Sequence, residues 1–311
     1  MSIESTQMPQ PVIVDCDPGI DDATALAMIV ASDELELKAV TTVSGNVPVE
    51  LSTRNAARVL SLLGREDVPI AAGASRPLVR ANPYHPDIHG PNGLGGVELV
   101  PTAAEHGAEP AIELLAAMLA AADPGSITLI AIGPLTNVAL LLALYPELAD
   151  RISSLRVMGA SPDRGNVTPY AEFNIWMDPE AAHRVLVEST VPRQLITLGA
   201  TRRATVAEDH RAALAVSSTA GAALAEMILG YADLDPASGW PLHDAMVVAE
   251  LLEPGTVELR PGVLEVDTGT GQRRGETTFD FEPQSPTGLE VGVGADTARF
   301  RELLAARIAR L

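Results

Sequence analysis

Asp15-Cys16-Asp17-Pro18-Gly19-Ile20-Asp21-Asp22 follows the apolar run Val12-Ile13-Val14 and precedes an alanine-rich stretch, residues 23–31. The segment reads as a strand, a sharp turn and the start of a helix, the junction from which α/β folds are built. In an extended strand Asp15 and Asp17 project to the same side, because side chains alternate with a period of two. Gly19 permits the turn. Asp21 and Asp22 then open the helix, where unpaired N–H groups favour negative charge. Four carboxylates thus converge at the carboxyl end of a strand, the place where open α/β sheets bind ligands. Crowded acids repel one another unless they are protonated or neutralised by a cation. An all-oxygen set suits a hard divalent ion, Ca²⁺ or Mg²⁺. A solvated acidic turn is the alternative, and the strand before and helix after weigh against it. Cys16, flanked by two aspartates, is a poor nucleophile because their charges raise its pKa.

The same alternation continues outward. Residues 37–43, 68–70, 127–132, 152–158 and 194–198 read as strands. Residues 48–63, 109–122, 135–144 and 179–189 read as helices between them. This pattern predicts a mostly parallel open sheet flanked by helices. Residues 80–98 break it with Gly, Pro and little periodicity, as a functional loop does. Residues 200–239 read as helical but less apolar. From residue 257 the texture changes to strands with Gly turns, at 263–266 and 277–281, and a helix over 296–311 closes the chain. The expectation is one α/β domain, residues 1–311, with a small antiparallel addition near the C-terminus.

Composition narrows the function. Among 311 residues, 21 Lys plus Arg face 41 Asp plus Glu, a formal charge of −20, which disfavours nucleic-acid binding. An apolar fraction of 47% disfavours disorder. Lys38 is the single lysine, so no Walker-type phosphate loop exists and a Schiff base would rest on Lys38 alone. Its neighbours read as the edge of a surface strand, with the amine in solvent. One cysteine cannot make an intrachain disulfide. The first residues lack a basic and an apolar region of a signal peptide, and no apolar run of about 18 residues is long enough to span a membrane. A cytoplasmic protein with no membrane partner is expected.

Other polar residues follow apolar strands. Ser44-Gly45-Asn46 ends one, and Ile132-Gly133-Pro134-Leu135-Thr136-Asn137 ends another in a turn able to expose the Ile132 carbonyl. Asn166, Glu172 and Asn174 lie close in sequence, and amides with an acid suit hydroxyl recognition. His243-Asp244 opens an apolar helix. His89, in the irregular loop, fits a surface position as well as a functional one.

Taken together, these segments resemble the calcium-dependent nucleoside N-ribohydrolases, the inosine–uridine preferring nucleoside hydrolase family. The D-x-D-P-G-x-D-D signature stands at Asp15 to Asp22. Val43-Ser44-Gly45-Asn46, His89-Gly90-Pro91-Asn92-Gly93, Gly133-Pro134-Leu135-Thr136-Asn137, Gly165-Asn166, Ala171-Glu172-Phe173-Asn174, His243-Asp244 and Arg274-Gly275-Glu276-Thr277 follow in family order. The resemblance implies hydrolysis of the N-glycosidic bond of ribonucleosides to free base and ribose. It implies Ca²⁺ on Asp17, Asp22, Asp244 and the Ile132 carbonyl, with Asp17 as general base for the attacking water. Asp21 and Asn46 would contact the ribose hydroxyls. Asn166, Glu172 and Asn174 would bind the far side of the sugar and its 5′-hydroxyl. Asp15 would support the cluster, His89 would join the substrate site, and Tyr231 would stand near the base. His243 would protonate the leaving base, as a histidine near its natural pKa can. A homodimer or homotetramer is implied, and His243 with Tyr231 leans towards a pyrimidine-active or broad enzyme. Gly199-Ala200-Thr201 lacks an Asp that many members carry. The acidity favours nucleosides over nucleotides unless Arg164 or Arg202 reaches a phosphate. Two other readings fit the acids alone: a Mg²⁺-dependent phosphohydrolase with Asp15 as nucleophile, and a non-catalytic nucleoside- or ribose-binding protein.

Overall fold

Val12, Ile13, Val14 and Cys16 are all fully buried, as a strand covered on both faces must be. They belong to β1 (Gln10–Cys16) in a computed structural model that describes residues 8–80, 86–102, 110–231, 239–282 and 288–311. The other strands are β2 (Leu35–Thr42), β3 (Ile70–Ala72), β4 (Ile127–Ala131), β5 (Ile152–Met158), β6 (Arg193–Ile196), β7 (Thr205–Val206), β8 (Trp240–Pro241), β9 (Val257–Pro261), β10 (Val263–Val266), β11 (Thr277–Asp280) and β12 (Leu289–Ala295). Eight of them form one sheet in the order β3-β2-β1-β4-β5-β6-β12-β9. All neighbours are parallel except β9, which runs antiparallel to β12 at the edge.

The chain builds outward from β1 to β3 on one side, then returns and builds from β4 to β6 on the other. The crevice beyond the carboxyl ends of β1 and β4 is therefore the topological switch point. Helices cover both faces. Val12, Val14 and Cys16 pack with Leu26, Leu60, Leu224, Met246 and Phe300, whereas Ile13 joins Leu115, Val138 and Leu141 on the opposite face. The two-residue period of β1 thus divides one strand between two cores. Among the described residues, no helix is long and apolar enough to cross a membrane.

The expected single domain with a parallel sheet and a C-terminal antiparallel addition is observed. That addition is the β9 edge and a separate β10–β11 hairpin. β12 was not anticipated: its sequence LEVGVGA carries two glycines, which weaken strand propensity. The sheet needs them, since a Cβ at Gly292 would come within 2.9 Å of Val257 Cγ1. The segment read as one long helical region contains the helices Leu198–Thr201, Glu208–Ala215 and Thr219–Leu229 with β7 between them, and residues 232–238 lie outside the described ones. Within the expected loop at 80–98, Pro86–His89 is a helical turn; residues 81–85 lie outside the described ones, as do Glu109 and residues 1–7. The helix expected over 179–189 changes from Pro179–Ala182 to a π-helical turn, His183–Glu188. β2 is not an edge strand, yet β3 pairs only with Val40 to Thr42, so Lys38 stays in solvent and meets Glu36 at 2.9 Å.

Phe300 packs fully buried from the last helix, Thr297–Ile308, into the core. Phe300→Ala is expected to cost ~3–5 kcal/mol, read as a lower urea midpoint, with turnover per folded molecule preserved.

Candidate active site

At the end of β1 the chain turns into the helix Ile20–Val30. Asp22 closes that turn. Its Oδ2 accepts the Gly19 N–H at 2.8 Å and its Oδ1 accepts the Asp17 N–H at 3.2 Å. Asp17 is held from the side by the segment after β2: its Oδ2 accepts the Asn46 N–H at 2.7 Å, and Asn46 Nδ2 donates to the Asp17 carbonyl at 3.2 Å. Two glycines make room for it. A Cβ at Gly45 would fall 2.0 Å from Asp17 Oδ2, and one at Gly133 would fall 2.7 Å from Oδ1. Asp15 lies one step deeper. Its Oδ1 accepts from Thr41 Oγ1 at 2.5 Å and Asn137 Nδ2 at 2.8 Å, while Oδ2 is buried with no partner among the described residues.

The ends of β4 and β5 supply the opposite wall. Asn174 Nδ2 donates to the Ile132 carbonyl at 2.9 Å and to the Met158 carbonyl at 3.2 Å. Glu172 caps the helix Phe173–Met177 through the N–H groups of Asn174 and Ile175, and it also accepts the Ala160 N–H at 3.0 Å. Ala160 adopts a left-handed φ of 64°, which aims that amide. Asn166 Oδ1 accepts the Phe173 N–H at 2.8 Å. Arg202 braces the same loop, donating to the carbonyls of Arg164 and Gly165 at 2.7 and 2.8 Å. Behind it Arg274 grips Glu180 at 2.6 and 2.9 Å.

The remaining residues come from outside the sheet. His89 Nδ1 accepts the Ile20 N–H at 3.2 Å, and its ring lies 5.2 Å from that of Tyr231. Tyr231 is buried, and burial with the nearby Asp21 and Asp244 carboxylates holds its hydroxyl well above the usual phenol range. His243 and Asp244 begin the helix His243–Leu252, and His243 Nδ1 lies 2.7 Å from Thr201 Oγ1. Asp17, Asp21, Asn46, His89, Ile132, Asn166, Glu172, Asn174, Tyr231, His243 and Asp244 all line one cavity of about 790 Å³. That volume suits a small organic ligand. Asp15 and Asp22 lie beneath its floor.

Crowding of the carboxylates has electrostatic consequences. Burial first, and like charge second, push Asp17 and Asp244 well above the usual carboxylate range. Asp22 is raised to about 7 by burial and Asp21, and Glu172 to about 7 by burial against the pull of its three amide partners. Burial raises Asp15 to about 6, opposed by Asn137 and Thr41. Carboxylate oxygens of Asp21, Asp22 and Asp244 lie within 4.8 Å of one another. A divalent cation fits this donor set, which is all oxygen and otherwise has to retain protons. The expectation of a His243 near its ordinary pKa is corrected: burial, with help from Arg202 and His89 against Asp21, lowers it to about 4. His89 is also lowered by burial. Both rings are neutral at pH 7.

Residues 12–302 match the family model for inosine-uridine preferring nucleoside hydrolases. The chain belongs to that family. It is 41% identical to a non-specific ribonucleoside hydrolase RihC of Klebsiella pneumoniae, over 96% of this chain and 98% of the relative. A pyrimidine-specific ribonucleoside hydrolase RihA of Photobacterium profundum is 40% identical over 97% and 99% of the two chains. Among solved structures, the plant nucleoside hydrolase PpNRh1 superposes with a TM-score of 0.89 at 30% identity, covering 97% of this chain and 99% of that one. A purine-preferring ribonucleoside hydrolase from Gardnerella vaginalis gives the same TM-score and identity, over 96% and 98%. The protein is therefore an enzyme, a ribonucleoside hydrolase. Asp15 does not reach the cavity, so the phosphohydrolase reading lacks its nucleophile.

Other residues hold the lining in place and carried little signal in the sequence. Met158 is an ordinary strand end, and Thr201 stands out in the sequence only through the Gly199-Ala200-Thr201 segment that lacks an Asp. Arg202 entered only as a conceivable phosphate contact; the structure places it and Arg164 in the cavity lining and has it bracing the loop as well. Asn137 stood in a quoted motif without a role, and it ties Asp15 to the Thr42 carbonyl at 3.0 Å.

Without a cation, the folded protein holds protons on Asp15 and Asp22 up to pH values of about 6 and 7, above their ordinary value of 3.8. The folded state then binds more protons than the unfolded one, so stability falls as pH rises through about 4–7. Thermal midpoints in chelator are expected to drop across that window. Adding a divalent cation at pH 6 is expected to release protons, measured by buffer-dependent calorimetry.

Proposed function

We propose that this hydrolase cleaves ribonucleosides with a Ca²⁺ ion on Asp17, Asp22, Asp244 and the Ile132 carbonyl. The observation that carries the reading is one cavity in which buried carboxylates meet neutral rings: Asp17, Asp21 and Asp244 line it together with His89, His243 and Tyr231, and His89 Nδ1 lies 3.9 Å from Asp21 Oδ1. Bound there, Ca²⁺ supplies positive charge that lets the carboxylates ionise and makes a nearby water more acidic.

The chain does the rest. Asp17, fixed by the Asn46 N–H, takes a proton from the attacking water. Asp21 and Asn46 hold the ribose hydroxyls. Asn166, Glu172 and Asn174 hold the 5′ side, where Asn174 Nδ2 is already engaged and leaves its Oδ1 for the sugar. As the glycosidic bond breaks, the sugar becomes oxocarbenium-like, and the surrounding carboxylates stabilise that charge without reorganising. Neutral His243 donates a hydrogen bond to the departing base, with His89 and Tyr231 beside it. The RihC and RihA relatives, named non-specific and pyrimidine-specific, support a broad or pyrimidine-active enzyme. Asp15 supports the cluster from below. The natural substrate is the uncharged nucleoside; the protein works in the cytoplasm as a homodimer or homotetramer.

A panel of purine and pyrimidine nucleosides, separated by chromatography, is expected to yield free base with added Ca²⁺ and none with chelator. No base from any nucleoside would sink the reading. Turnover of Asp17→Ala is expected to fall on the order of 10³-fold or more, since ligand and base are lost together. His243→Ala is expected to harm ordinary nucleosides far more than a nitrophenyl riboside, whose leaving group needs no help.

A further inference from the structure

Thr201 ends the short helix Leu198–Thr201 and is 1% exposed. That helix is anchored by Thr197, whose Oγ1 accepts the Gly199 N–H at 3.1 Å and donates to the Gly292 carbonyl at 2.6 Å. Its position is therefore set by the central sheet. Thr201 Oγ1 lies 2.7 Å from His243 Nδ1 and has no other hydrogen-bond partner among the described residues. A buried hydroxyl hydrogen needs an acceptor, and leaving it without one costs free energy. Nδ1 is the acceptor at hand. If Nδ1 carried the proton instead, it would donate to Oγ1 and the hydroxyl hydrogen would be stranded.

We propose that Thr201 is a positioning residue that donates to His243 Nδ1, so that the ring carries its proton on Nε2 and presents that N–H to the leaving base. The inference rests on the reading of His243 as the group facing that base. His243 lines the cavity, and its Nε2 has no partner among the described residues. The tautomer of a histidine is set by the hydrogen bond its other nitrogen makes. Asp21 and Asp244 carboxylates, the Arg202 guanidinium and the His89 ring surround the same imidazole. None of them is within hydrogen-bond distance of Nδ1, so the orientation depends on one threonine hydroxyl. Arg202, the next residue, braces the loop at Arg164 and Gly165. One corner of the chain thus supports both ends of the cavity.

The test has two parts. In ¹⁵N-histidine spectra of the whole protein, the His243 signal is assigned by its loss in His243→Gln. It is expected to show a bare Nδ1 and a protonated Nε2, and Thr201→Val is expected to mix the two tautomers. In kinetics, Thr201→Val is expected to lower kcat on an ordinary nucleoside about tenfold with little change in KM, the scale of one lost hydrogen bond. The nitrophenyl riboside should be nearly spared, and Thr201→Ser should restore both the spectrum and kcat. A proton found on Nδ1 in the unmodified protein would overturn the proposal. So would equal losses on both substrates, or a serine that fails to rescue. Should His243→Gln prove fully active, the assigned role of His243 fails while the spectrum still decides the tautomer.

Discussion

Burying Asp15, Asp17, Asp21, Asp22 and Asp244 together, each less than 5% exposed, is the constraint around which the fold is arranged. Isolated charges in such a place are expensive. The protein meets the cost with donors drawn from neighbouring strand ends: the N–H groups of Gly19, Asp17 and Asn46, the Thr41 hydroxyl and the Asn137 amide. These partners lie at the end of β2 and in the segments after β1, β2 and β4, which meet because the strand order reverses at β1 and sets β4 on its other side. The sheet order and the acidic floor are one design. The cost that remains, burial first and mutual repulsion second, shows in the raised carboxyl groups and favours a cation.

Much of this was legible because it is local. Eight residues from Asp15 to Asp22 carry strand, turn and helix start in sequence, and a two-residue period tells which way the acids face. The strand-end residues Asn46, Ile132, Asn166, Glu172 and Asn174 could be ranked because each follows an apolar run. The β–α alternation likewise predicts a parallel sheet before any pairing is known.

What was not legible is set by contacts between distant segments. β12 joins the sheet beside β6, 96 residues away at the Gln194–Glu290 contact, despite two glycines that spoil its local signal. Thr201 meets His243 across 42 residues, and no spacing rule announces a threonine at a helix end as a partner for a histidine. The state of His243 was misjudged for the same reason. Its ordinary pKa belongs to water, and burial beside Arg202 and His89 is a property of the assembled cavity.

The lining of the cavity has two architectural origins. Its floor grows from the carboxyl ends of adjacent parallel strands, where moving one residue disturbs the hydrogen-bond partners of the others. The rest comes from the helical turn Pro86–His89, the chain after Thr219–Leu229 and the start of His243–Leu252, none of which is a strand of the main sheet. The two sources are tied together, because the helix His243–Leu252 carries both His243 and Asp244, and His89 lies 3.9 Å from Asp21. A shift of that helix therefore moves a ring and a carboxylate of the cavity at once, and the lining from outside the sheet cannot be rebuilt without disturbing the acids beside it.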